Sequence, residues 1–261
     1  MSVLDEKYQF EERFVAFIDI LGFTKIIEEL ERNKENEYGL QTVKSILNFM
    51  DEESFNPNYS VDLPIYVLEN GKLIEKELGD PRLTYISDCI IISTEPSLDG
   101  FKALSRKIHK IIADLAYDGF FCRGAITKGR LFHHNRILFG TAYMKAYLLE
   151  ETKALYPRII IDPDIIDFFN LEDEEMPLSS GFYGLDEDGF YYLRYWTWQL
   201  FPPYAGSFEN YMSIVLKKIG QLRRKYDETP KIKEKYDWLM KEHYSLTEWW
   251  IKAFDEKYKQ R

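Results

Sequence analysis

The sequence is short of cysteine, of positive charge and of long apolar runs, and each shortage excludes something. Its two cysteines, Cys89 and Cys122, each sit among apolar neighbours, which fits reduced core thiols in a cytoplasmic protein and leaves no disulfide framework. Lys and Arg number 34 against 44 Asp and Glu, a formal net charge of −10. That balance argues against sequence-independent binding to duplex nucleic acid, which relies on surplus Lys and Arg. It leaves room for a small anionic ligand, because a metal or a local cluster of cations reverses the field at one site. No apolar run approaches the ~20 residues needed to span a bilayer. The first twelve residues are too polar and acidic for a signal or transit peptide, so a cytoplasmic location is expected. Repeats and low-complexity linkers are also missing.

What is there suffices for a sizeable core: 45% of the 261 residues are hydrophobic and 16% aromatic. The length exceeds the ~100–200 residues of a typical domain but suits one elaborated domain. Residues 13–19, RFVAFID, predict a buried strand. A turn over 20–24 leads into a helix from 25 to 31, and a second helical pattern covers 38–50. Residues 51–80 predict a loop holding one hairpin, turned at Asn70-Gly71. A second hairpin has arms 82–86 and 89–93 with Ser87-Asp88 at its tip. Residues 98–117 form an amphipathic helix with Phe101, Leu104, Ile108, Ile111, Ile112 and Leu115 on one face. A strand over 120–128, a looser extended stretch over 129–138, a helix over 142–153 and a strand over 158–161 follow.

This order contains the β-α-β-β-α-β of a ferredoxin-like or palm-like sheet, an α+β class, within a core of about 12–165. Residues 166–261 add a hairpin turned at Asp188-Gly189 and two long charged helices, 204–226 and 232–257. They are expected to pack on the core or on a partner subunit.

Two aspartates carry the chemistry. Asp19 ends an almost wholly apolar strand, where a carboxylate is costly to bury unless it is paired or bound to a cation. Asp88 tips a hairpin whose arms are equally apolar. Taken singly, an Asp at a turn is an ordinary turn residue and one at a strand end an ordinary helix N-cap. In this topology, however, the first strand and the central hairpin are neighbours, so both carboxylates emerge at one edge of the sheet. Two hard oxygen ligands plus the backbone carbonyl of Ile20 suit Mg²⁺ or Mn²⁺ held jointly with phosphate oxygens. Two such ions activate an attacking oxygen and stabilise a leaving one in line. The turn Ile20-Leu21-Gly22-Phe23-Thr24 opens a helix, so its N–H groups offer a phosphate cradle, and Gly22 lets that backbone approach closely.

FIDILGFT at 17–24 resembles the first metal motif of class III nucleotidyl cyclases, and ISD at 86–88 before an apolar strand resembles their second metal-binding hairpin. RGAITKG at 123–129 is similar to the strand that follows in those catalytic domains. Phe139-Gly140 stands where their transition-state helix begins. Within that superfamily the runs RGAITKG, FGTAYMKAYLLEE and ALYPRIIID look most like the pyrimidine cyclases of bacterial Pycsar antiphage systems. The resemblance covers about 12–165. It implies a homodimer with sites at the interface, two Mn²⁺ or Mg²⁺ ions at Asp19 and Asp88, UTP or CTP (with a lean to UTP) as substrate, and cyclic UMP or cyclic CMP as product. A separate effector then reads the product. A purine cyclase, a palm-type polymerase and a catalytically dead nucleotide-binding module are the alternatives.

The departures from that pattern shape the expectations. By count from Asp88 and Gly140, the Lys and Asp that read a purine fall on Arg82 and Ile137. Arg82 is thereby a candidate for contact with a pyrimidine carbonyl. The following Asn and Arg fall on Met144 and Leu148, leaving Arg123, Lys128 or Arg130 to neutralise the phosphates. Phe17 shares a strand face with Asp19, and both a ribose or base pocket and ordinary core packing are open to it. Tyr143 and Tyr147, at i, i+4, divide between packing and the neighbourhood of the base. His133-His134 reads as a surface loop, and Trp249-Trp250 as core or dimer surface.

Overall fold

The computed structural model describes residues 9–32, 64–69, 72–134, 136–171, 181–197 and 201–258. Strand β1 (Glu11–Ile20) runs into helix α1 (Phe23–Arg32). Strands β2 (Pro64–Glu69) and β3 (Lys72–Glu77) pair with each other alone. Next come β4 (Arg82–Ile86), β5 (Cys89–Thr94), α2 (Leu98–Asp118), β6 (Cys122–His134), β7 (Ile137–Phe139) and α3 (Thr141–Lys153). The chain continues through β8 (Ile159–Ile161), α4 (Pro163–Leu171), β9 (Tyr183–Leu185), β10 (Tyr191–Leu193), α5 (Phe208–Lys225) and α6 (Pro230–Tyr258). The helix expected over 38–50 and the turn at Asn70-Gly71 lie outside the described residues, as do the side chains of Trp249 and Trp250.

The fold is α+β. Its main sheet has the order β4-β5-β1-β6-β8-β10-β9, with β7 on β6, and the stretch β4-β5-β1-β6 is the ferredoxin-like arrangement. Every pairing in it is antiparallel except that of β6 with β8. The β9–β10 hairpin belongs to this sheet through β8, so the segment after 165 extends the same layer.

Alternation along the strands divides the side chains between two unlike faces. Phe14, Ala16, Ile18, Ile90 and Ile92 point toward α2, α5 and α6, in one continuous buried cluster. Helix α2 fits that face because its apolar stripe is the expected one, from Phe101 to Leu115, all of it buried. Ser97 caps its start by accepting the Gly100 N–H at 3.0 Å, and Gly119, with φ 95°, ends it. On the opposite face Val15, Phe17, Ile91 and Leu131 pack with Ala142 and Ala146 of α3, while Ala125 and Ile160 pack with Ala154, Tyr192 and, on α6, Trp238.

Two elements differ from expectation. β6 runs unbroken to His134, because β1 starts at Glu11 and stays in register with it as far as Leu131. The stretch expected to be looser is therefore paired strand. Helix α4 was not foreseen; Pro163 opens it and Asp162 accepts the Asp164 N–H at 3.2 Å, a proline-at-N1 start.

The later segment is fastened to the sheet by one buried cation. Arg158, fully enclosed, pairs with Asp186 at 2.5 Å and with Asp188, both at the β9–β10 turn. Its guanidinium lies 5.7 Å from the ring of Tyr156 and 5.9 Å from those of Tyr192 and Trp238, the last on α6.

Candidate active site at the end of strand β1

Asp19 and Asp88 do meet. Asp19 stands opposite Cys89 on β5 and Arg123 on β6. The Ile20 N–H donates to the Asp88 carbonyl at 3.1 Å, which ties the end of β1 to the hairpin tip. That tip needs a left-handed residue, supplied by Ser87 at φ 56°. One carboxylate oxygen each from Asp19 and Asp88, and the Cys89 sulfur, lie within 4.8 Å of one another. Burial raises the Asp19 carboxyl above its ordinary value; the Arg123 guanidinium opposes that shift and the Asp88 charge adds to it. Burial, with the charges of Asp88 and Asp19, pushes the Cys89 thiol up to about 12. The thiol therefore stays protonated near neutral pH, and the donor set there is two carboxylates. Such a hard-oxygen set, half-buried and calling for positive charge, fits Mg²⁺ or Mn²⁺.

The turn after Asp19 is partly committed. The Ile20 and Leu21 N–H groups are spent within the protein, the latter on the Phe121 carbonyl at 2.9 Å. This corrects the expectation that the whole turn faces phosphate. The donors left to an anion begin at Gly22, whose φ of 81° only glycine adopts easily. Helix α1 starts at Phe23, has no acidic residue in its first turn, and leaves Thr24 exposed. Leu21 and Phe23 pack partly against the core.

Arg123 is the cation of the site. Its Nε lies 3.3 Å from Asp19 and 2.5 Å from Glu150 on α3. The second approach is a close ion contact rather than an aligned hydrogen bond, since that Glu150 oxygen has no hydrogen-bond partner. Glu150 is 3% exposed. Burial, opposed by Arg123 and reinforced by Asp19, pushes its carboxyl up to about 7. Sequence reasoning missed this residue, although a signal existed: Ala142, Ala146 and Glu150 repeat at i, i+4, the buried stripe of α3.

Several expected site residues are elsewhere. Arg82 is on the right face but at the wrong end of the hairpin. It pairs in register with Ser93, four residues from Cys89, or about 13 Å at the rise of a strand. Its guanidinium is held by Asp80 at 2.6 Å, Glu11 at 3.0 Å and the His133 carbonyl at 2.7 Å. Lys128 and Arg130 alternate onto the opposite face from Arg123. Lys128 pairs with Glu12 at 3.3 Å and covers the Phe168 ring, while Arg130 lies over Phe10. Phe17 is 3% exposed, with ring edges against Tyr147 at 5.5 Å and Tyr143 at 5.9 Å.

His133 is not in a loop. It is buried on β6, between the hydroxyls of Thr84 and Ser93, each at 2.8 Å. Burial, then the charges of Arg13 and Arg82, holds its imidazole down to about 4. Its neighbour His134 is exposed. Met144 and Leu148 are 61% and 53% exposed on α3, as is Tyr147 of the same helix at 42%.

No protein-family model matches the sequence, and no curated protein matches it. Among solved structures the chain is similar to the catalytic core of a rhodopsin-guanylyl cyclase with converted specificity, in complex with ATPαS. That likeness has 15% identity and a TM-score of 0.37, over 72% of this chain and 98% of the other. It is also similar to a bacterial light-regulated adenylyl cyclase, at 13% identity and a TM-score of 0.39, over 84% of this chain and 60% of the other.

Proposed function

We propose that this chain is a metal-dependent nucleotide cyclase, converting a pyrimidine nucleoside triphosphate, UTP or CTP, to its 3′,5′-cyclic monophosphate and pyrophosphate. The single observation that carries this reading is the meeting of Asp19 and Asp88 beside the start of α1. Those two carboxylates would hold two Mn²⁺ or Mg²⁺ ions, with the Ile20 carbonyl as a further oxygen. When bound, the ions polarise the ribose 3′-hydroxyl and neutralise phosphate charge.

The chain's own groups supply the rest. The N–H groups from Gly22 onward bind phosphate oxygens at a helix start, where the macrodipole favours negative charge. Arg123 stands beside Asp19 to meet charge on the phosphates, and Glu150 holds its guanidinium in place. In the reaction the 3′-oxygen bonds to the α-phosphorus, the bond from that phosphorus to the pyrophosphate oxygen breaks, and the hydroxyl proton passes to water. No covalent enzyme intermediate is needed, so no nucleophilic side chain is required.

The choice of a pyrimidine rests on the sequence resemblance and on the missing Lys/Asp pair that reads a purine. Arg82 no longer supports it, being committed to Asp80 and Glu11. The homodimer follows from the same resemblance, and the exposed Met144, Tyr147 and Leu148 of α3 offer apolar surface for it. On this reading the product is a second messenger of antiphage defence, read by a separate effector.

The test is incubation of the purified protein with ATP, GTP, CTP and UTP in turn, with Mn²⁺, and separation of the products. A cyclic product from UTP or CTP is expected. Product from ATP or GTP alone sinks the pyrimidine claim. Binding without turnover of any nucleotide is the outcome for an inactive module, the reading that Met144 and Leu148 favour.

A further inference from the structure

Counted as charges, the site is short of cations. Asp19, Asp88 and Glu150 converge there, and Arg123 already lies between two of them. A triphosphate brings several more negative charges. Lys128 and Arg130 face away, and the α3 position where the resemblance expects an arginine is the exposed Leu148. Near the start of α1, Lys25 is turned onto the ring of Tyr226, 5.1 Å from its centroid.

The C-terminal helices supply another. Tyr226, at the end of α5, stacks on Tyr236 of α6 at 5.9 Å, and Tyr236 packs against Phe121 at 6.2 Å. Phe121 is the residue whose carbonyl holds the Leu21 N–H. Helix α6 therefore passes directly beside the turn that follows Asp19. Two residues before Tyr236, Glu234 accepts from the Tyr156 hydroxyl at 3.2 Å, and two residues after it Trp238 stacks on the Tyr156 ring at 5.8 Å. These contacts pin the helix on both sides of Lys235, which is half-buried. The charges of Arg123, Asp19 and Glu150 all act on its ammonium, and it acts in turn on both carboxyls.

We infer that Lys235 is a further cation of the site, brought by α6 to contact the polyphosphate of the bound nucleotide. It stands in for the arginine absent from α3, and it makes the C-terminal segment a contributor to the site. The inference rests on the cyclase reading for the identity of the ligand, but its chemistry requires only a condensed phosphate. A flexible stem with a point charge suits this task, since it can follow phosphate oxygens as they move.

The experiment measures binding of inorganic tripolyphosphate with Mn²⁺ by calorimetry to the wild-type protein, Lys235→Gln, Lys235→Arg and, as a control, Lys128→Gln. Affinity is expected to fall about 10-fold or more in Lys235→Gln, as for loss of one charged contact to phosphate. It is expected to survive within about 3-fold in Lys235→Arg and Lys128→Gln. Wild-type protein provides a second readout that no folding defect can confuse: tripolyphosphate with Mn²⁺ should protect Lys235 from acylation, read by peptide mass spectrometry. Unchanged affinity in Lys235→Gln, or no protection in the wild type, overturns the inference. The two readings fail separately. Lys235-dependent binding in a protein that cyclises none of the four nucleotides overturns the cyclase alone. Turnover by a Lys235→Gln variant that binds tripolyphosphate as the wild type does overturns the lysine alone.

Discussion

The two faces of the main sheet are made from the same strands and do opposite things. One is an unbroken layer of Ile, Phe and Ala closed over by α2, α5 and α6. The other is covered by α3 and by Trp238 of α6, and is polar at both ends. At one end stand Asp19, Asp88 and Arg123; at the other, Arg13, Asp80, Arg82 and His133 form a closed network. Residues adjacent in sequence therefore answer to different demands: Ile18 and Ile20 hold the fold together, whereas burial penalises the charge of Asp19 between them. The polar ends differ too. At the Arg82 end every charge named has a protein partner, whereas at the Asp19 end burial leaves carboxyls wanting more cation than Arg123 supplies.

The contrast breaks first, and hardest, at the site. Asp88→Asn should lower cyclic-nucleotide formation by on the order of 10³-fold while the melting temperature stays put. Asp19→Asn should do the same and melt no lower, because it removes a carboxylate that burial penalises. A variant of either kind that keeps full turnover ends the functional reading of this face. On the closed face the effects reverse. Phe14→Ala, which opens a void beside Phe101 and Phe169, should cost about 3–5 kcal/mol in denaturant unfolding. Activity should be lost only in step with folding.

The Arg82 end predicts a pH signature. His133 is held down to about 4 from an ordinary 6.5, so the unfolded chain takes up a proton before the folded one. The stability it contributes is complete above pH 6.5 and is lost as pH falls toward 4, a span worth about 3 kcal/mol. In His133→Asn the deficit relative to wild type should be largest near pH 7.5 and shrink steadily by pH 4.5. A deficit independent of pH places the proton elsewhere. The smallest effect on folding is expected at the uncovered rim of α3. Leu148→Glu should shift the sedimentation coefficient from dimer to monomer and leave the stability of the chain within about 0.5 kcal/mol, as for an exposed position. A wild-type protein that sediments as a monomer removes the basis for sites shared between copies.

The strands bearing Asp19 and Asp88 are legible in the sequence because their flanks are long apolar runs, and an acidic residue interrupting them stands out. The core stripe of α2 is legible for the same reason at a period of 3.6. What is illegible depends on distance through space rather than along the chain. Arg82 lies on the correct face by parity, but counting residues cannot show that Asp80 and Glu11 already claim it. His133, in the polar stretch FHHNR, looks like a loop until β1 is known to start early enough to pair beside it. Glu150 resembles any helical glutamate until α3 is laid against Arg123. Lys235 is one of many charges near the start of α6, and only packing through space, Tyr236 against Phe121 and Trp238 on Tyr156, shows which way that turn of the helix faces.

The ring-lined pocket of Arg158 has a consequence for anyone wishing to trim this protein. Shortening the chain to its first 165 residues would delete Asp186, Asp188, Tyr192 and Trp238 together, stripping a fully enclosed guanidinium of its counter-charges and most of its cage. An abandoned interior charge of that kind costs about 3–5 kcal/mol, a large fraction of what a domain has to spare. The stretch resembling a catalytic core is therefore not a portable module, and swapping its tail for another would mean rebuilding the anchor as well.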